Sequence, residues 1–68
     1  MKTSIYEADP FTSRRGALIT IIDTDYRWEK GDEIAVESGG DTSVYRVIQV
    51  RVRLRGCALE RDVVAMKL

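Results

Sequence analysis

The chain has no histidine, and only one each of cysteine, proline, tryptophan and phenylalanine. Without imidazole there are no Ser-His-Asp triads, Cys-His dyads, histidine general bases or histidine metal sites. A single thiol, Cys57, cannot form an intrachain disulfide, and with no histidine beside it no zinc set can be assembled. It follows Gly56 in a predicted turn with no activating base in view, so it reads as a small buried or semi-buried thiol, and as a nucleophile only if arginines depress its pKa. One unpaired cysteine also points to a reducing setting, and the expected localisation is cytoplasmic.

Long apolar runs are missing too. The longest, "ALITII", Ala17 to Ile22, is interrupted by Thr20 and far too short to span a bilayer. The start, "MKTSIYEADPFTSRR", lacks the apolar h-region of a signal peptide, so no membrane partner is expected. An excess of one charge is absent as well: eleven basic and eleven acidic side chains cancel, with a pI near 6.2. That removes the global positive field typical of non-specific nucleic-acid binders. The charges are nevertheless segregated. Residues 1–43 hold five Lys/Arg against nine Asp/Glu, whereas residues 44–68 hold six against two. Either the two halves pair in the fold or the basic half faces a polyanion.

What is present describes one small folded domain. The chain is 44% hydrophobic and 32% charged over 68 residues, a globular composition rather than a disordered one. A domain of this size buries only about 60% of its unfolded surface, so a dimer or a permanent partner would relieve a thin stability.

Five segments carry structure signals. Residues 1–15 are mixed and polar around Pro10 and read as an N-terminal arm that docks Tyr6 and Phe11 on the core, as a short strand or single helical turn. Residues 16–68 form the β domain. "GALITIID" is a β-branched strand with no polar alternation, which implies cover on both faces. "DTDYRWEKGD", Asp23 to Asp32, is a loop. "EIAVES" and the strand that follows "GGD", Gly39 to Asp41, form a hairpin that sets Val36 opposite Val44. "SVYRVIQVRVRLR", Ser43 to Arg55, is too long to stay straight and must bend. Strict alternation along it puts Val44, Ile48, Val50, Val52 and Leu54 on the buried face and Tyr45, Val47, Gln49, Arg51, Arg53 and Arg55 on the other. After Gly56, "CALERDVVAMKL" fits a helix at Leu59, Val63 and Met66 or an end strand, and the strand is favoured because a barrel needs it to close. The expected fold is mainly β, a small five-stranded barrel or strongly curled antiparallel sheet, with room for one short terminal helix.

Motifs for chemistry are weak. "DTD", Asp23 to Asp25, offers two carboxylates at i and i+2, but ordinary loop residues after a strand look the same and the longer Ca²⁺-loop pattern is missing. Gly31, Gly39 and Gly40 sit between strands, not ahead of a helix with Lys-Ser/Thr, so no phosphate loop is present. No cofactor and no metal are expected, and the chain reads as non-enzymatic.

Two surfaces remain. Arg51, Arg53 and Arg55 would project along one strand face and, with Tyr45, combine cations with a stacking platform for nucleic acid; the competing reading pairs them with carboxylates on neighbouring strands. Tyr26, Arg27 and Trp28 supply the residue types of protein hot spots, although so small a fold also needs its only tryptophan as a core plug. "KGDEI", a glycine hairpin and "YRVIQV" resemble small barrels of the SH3-like and PUA-like kind over about twenty residues, a likeness that unrelated folds share and that implies no function. The expected role is a small regulatory or inhibitory protein, of phage or mobile-element size, that docks on another protein or on a second copy of itself. The alternatives are a nucleic-acid binder and a structural subunit of a larger assembly.

Overall fold

A computed structural model describes every residue except Ser13. It contains five strands: β1 (Lys2–Ala8), β2 (Arg15–Asp23), β3 (Glu33–Ser38), β4 (Asp41–Arg55) and β5 (Ala58–Lys67). They form one sheet in the order β2-β1-β5-β4-β3, curled into a half-barrel. Among the described residues there is no helix, so none is long and apolar enough to cross a membrane.

The small β fold of five strands is therefore present, but the sheet is mixed. β1 runs parallel to β5, with Ile5 beside Val63, while the other three pairings are antiparallel. Of the residues expected to form an N-terminal arm, as a short strand or single helical turn, Lys2–Ala8 form a strand. Lys2–Ala8 is an inner strand between β2 and β5, because its alternate residues Thr3 and Ile5 supply apolar and small groups to the core face, where both are buried. Tyr6 does not reach the core; it lies under the Arg15 guanidinium, 4.7 Å from the ring centroid. Phe11, in the β1–β2 connection, is 93% exposed. Ser13, the remaining part of the expected arm, lies outside the described residues.

β4 bends as its length requires. Its 15 residues would reach about 50 Å if straight, more than the molecule's longest dimension of 38 Å. The bend is a β-bulge between Val47 and Gln49, opposite Ala65 and Val64 of β5. An extra residue in one strand reverses the in/out parity beyond it. Tyr45 and Val47 therefore share the core face with Val50, Val52 and Leu54, which corrects the strict alternation expected from sequence. Arg46 precedes the bulge and Gln49, Arg51, Arg53 and Arg55 follow it, all on the outer face.

Hairpin chemistry fixes the other registers. Gly39 and Gly40, at φ 59° and 87°, make a two-residue turn between Ser38 and Asp41, the left-handed pair that a tight hairpin demands. The loop is one residue shorter than expected, so Val36 faces Ser43 and Val44 faces Ala35. At the other end Gly56 (φ 60°) and Cys57 connect β4 to β5.

The core is small. Ile5, Val47 and Val63 are its buried centre, with Ile19, Ile34, Val50 and Trp28 packed around them. Trp28 comes from the β2–β3 connection, which crosses from one edge of the sheet to the other. That connection is tied down by Gly31 N–H to Val47 O and Val47 N–H to Asp32 O, each 2.8 Å. Asp32 then accepts from the Tyr26 hydroxyl (2.9 Å) and the Glu29 amide (3.0 Å).

Candidate interaction surfaces

The arginines of β4 lie on one face, but they are not equivalent. Arg53 holds Asp62 through Nη2–Oδ1 at 3.1 Å and places Nε 3.0 Å from Oδ2, with the N–H pointing off that oxygen. It also reaches Glu60 at 3.4 Å. The Asp62 carboxylate is almost fully buried, and Arg15 completes its surroundings at 3.7 Å. A buried carboxylate needs such partners, so Arg53 is part of the fold's own electrostatics. Arg51 and Arg55 are exposed and have no carboxylate within ion-pair distance among the described residues. Arg46, nearer the first hairpin, sits 3.5 Å from Glu33.

Tyr45 does not join this group. The bulge places it on the core face, where it is buried, so it offers no stacking platform beside the arginines. Tyr26 and Trp28 stack edge to face, centroids 4.9 Å apart at 78°, yet their roles differ. Trp28 packs against the core and its indole N–H is buried without a hydrogen-bond partner. Tyr26 remains exposed, and Arg27 lies on the open side of the loop. The hydrogen bond from the Tyr26 hydroxyl to Asp32, with some help from burial and from the negative charge of Asp32 and Glu29, raises the phenol's pKa above its usual 10.0.

Three features escaped the sequence reading. The first is Arg61, which is buried on the core face and donates to Thr3 Oγ1 (3.3 and 3.4 Å) and to Thr24 O (3.2 Å). Its parity with Leu59, Val63 and Ala65 on β5 was the available signal. The second is the free edge formed by β2. Its residues are exposed apart from the half-buried Ile19, because an edge strand has a neighbour on one side only.

The third is a hairpin arm. β1 begins opposite Glu60, and β3 pairs with β4 only as far as Arg46. Beyond those points the β4–β5 hairpin has no strand on either flank. Its core-face residues are Leu54 and Leu59, directly opposite each other; Val52, the next core-face position on β4, sits at its base opposite Arg61, which β1 still flanks through Thr3. Nothing covers them: Val52 is 57%, Leu54 71% and Leu59 51% exposed. Val52 and Leu54 are expected from sequence on the buried face, and they do face the core side, but the half-barrel leaves them uncovered. The arm thus carries apolar side chains on one face and Arg55 on the other, with Arg51 on that same outer face nearer its base, and exposed Cys57 in its turn.

Compared with protein-family models, with characterised sequences and with solved structures, the chain matches none.

Proposed function

We propose that this protein is a non-enzymatic binding module that regulates or inhibits another protein by docking on it, with the hairpin arm as its contact. The observation that carries this reading is the arm itself: Leu54 and Leu59 at the end of a two-stranded ribbon, with Val52 beside them at its base, form one continuous aliphatic cluster that is left uncovered. Exposed apolar clusters with a polar rim are a mark of interaction sites. A rigid pair of hydrogen-bonded strands also offers them at little ordering cost. Arg51 and Arg55, free of carboxylate partners among the described residues, suit a partner whose apolar cleft is bordered by acidic groups. The absence of histidine supports the non-enzymatic reading, and the single thiol fits a reducing, cytoplasmic setting.

Nucleic acid is less well supported as a partner. Arg53 is engaged internally and Tyr45 lies on the opposite face, which leaves two separated cations on a molecule of zero net charge. The test is capture from nuclease-treated extract of the source cells, using immobilised wild type, Leu54→Asp/Leu59→Asp and Arg51→Ala/Arg55→Ala. Recovery of one protein in stoichiometric amount, lost with the aspartates and only weakened by the alanines, supports the proposal. Recovery that disappears on nuclease treatment, or that survives in the aspartate variant, contradicts it.

A further inference from the structure

We propose that the free edge of β2 is a self-association surface, on which a second copy of the same chain adds its own β2 antiparallel and continues the sheet across a two-fold axis. This goes beyond the arm reading and is independent of it, since the arm and this edge involve different strands.

β2 is nine residues long and forms one edge of the sheet. Leu18 and Ile21 are each 49% exposed on the outer face, and Ile22 is also exposed. Sheet proteins ordinarily protect an edge like this with a proline, a mid-strand charge or shortness. The opposite edge shows that protection: β3 has six residues and carries Glu33 and Glu37. β2 has none in its middle. Its charges sit only at its ends, Arg15 first and Asp23 last.

That end-to-end polarity selects a second copy over a foreign strand. The bulge opposite Ile5 and Tyr6 places Leu18, Ile21, Asp23 and Arg15 on the outer face and Ile19 and Thr20 on the core face. An antiparallel copy turned about the point between Ile19 and Thr20 sets Leu18 opposite the partner's Ile21, and Ile19 opposite the partner's Thr20. Like faces then meet like faces, as a ladder requires. Arg15 then faces the partner's Thr24 and Asp23 the partner's Gly16, which leaves Arg15 one step along the ladder from the partner's Asp23, within reach of its long side chain, and the symmetry repeats that diagonal contact. Each already has one partner in its own chain, Asp23 the N-terminal ammonium at 2.8 Å and Arg15 the Asp62 carboxylate at 3.7 Å, but both stay open to a second: the Asp23 carboxylate is 87% exposed and the Arg15 side chain 56% exposed.

The test is sedimentation equilibrium of the full chain at low ionic strength. Wild type is expected at twice its 7.7 kDa mass at concentrations of about 100 μM, and Leu18→Lys/Ile21→Lys at the monomer mass with an unchanged melting temperature. Arg15→Asp alone and Asp23→Arg alone should each dimerise roughly fivefold to tenfold more weakly. An equimolar mixture of the two should recover the loss, because every cross-contact between them is again attractive. A wild type that is monomeric up to about 1 mM overturns the proposal, as does a dimer indifferent to the two lysines. A mixture that associates no better than its components overturns the antiparallel register.

Discussion

Arg53 and Asp62 face each other across the β4–β5 ladder at 3.0 and 3.1 Å, whereas Arg51, the residue in register with Asp62, makes no ion pair among the described residues. The pairing is diagonal. Asp62 is buried while Arg53 keeps part of its guanidinium in water, so removing the arginine strands a carboxylate that has only Arg15 left. Arg53→Ala is expected to cost about 2 kcal/mol, less than the 3 to 5 typical of a fully buried pair. Arg51→Ala should stay within about 0.5 kcal/mol of wild type. Urea unfolding of the two variants checks this, and equal midpoints would show that the pair contributes nothing.

Gly16 is held to glycine by space alone. A Cβ there would lie 2.8 Å from the Glu7 carbonyl oxygen, a backbone atom in β1 that cannot swing away. Gly16→Ala should therefore destabilise by about 1 to 3 kcal/mol through displacement of the bulged β1–β2 pairing. Thermal unfolding measures the loss. An unchanged melting temperature would mean the strands separate here without cost.

The Tyr26–Asp32 hydrogen bond gives the β2–β3 loop a pH dependence. The phenol is the donor, and its pKa is raised above 10.0 in the folded chain. The sign follows from linkage: between the unfolded and folded pKa values the native state keeps a proton that the unfolded chain has lost, so stability falls as pH rises. The bond's contribution is thus complete below pH 10.0 and disappears as pH climbs through the folded value. Ultraviolet titration should show the Tyr26 phenol ionising above 10.0, and Tyr26→Phe should abolish that step and flatten stability above that pH. An unaltered alkaline profile in the variant would exclude the bond.

Arg61 should behave as the loop's clamp, because it ties Thr3 of β1 to the Thr24 carbonyl. Arg61→Met keeps the stem and removes both links. It is expected to free the loop, exposing Trp28 and shifting its fluorescence to longer wavelength, with global stability changed by about 1 to 3 kcal/mol. An unshifted spectrum would place the anchor at Gly31 and Asp32 instead.

The strands after residue 15 were legible because β-branched runs and glycine turns mark them directly. Of these, β5 was legible only in part: its helical spacing competed with strand alternation, and what decides for the strand is that Val63 and Val64 are both buried between two neighbouring strands. The parallel placement of β1 was not legible: "KTSIYEA" contains one large aliphatic residue, and its burial rests on Val63 of β5 and Val47 of β4, both distant in sequence. Nor was the bulge at Ile48. Nothing in "VYRVIQVRV" announces that the alternation slips, yet that slip decides which side of the sheet Tyr45 occupies. The candidate nucleic-acid face dissolved for the same reason, since its cations were read correctly and its aromatic was assigned by unbroken parity. For β2, continuous apolarity implied cover on both faces, but a strand at an edge can be apolar with no cover at all.

The most direct measurement uses the one thiol. Cys57 lies exposed in the turn of the arm, so a benzophenone maleimide attached there reports what the arm touches. A control probe can be carried at exposed Phe11 in a Phe11→Cys/Cys57→Ser chain. Irradiation in extract of the source cells should join the Cys57 probe to one protein species, insensitive to nuclease and absent when Leu54 and Leu59 are aspartate. No adduct at Cys57, or the same adducts from the Phe11 position, would contradict the arm as the docking element.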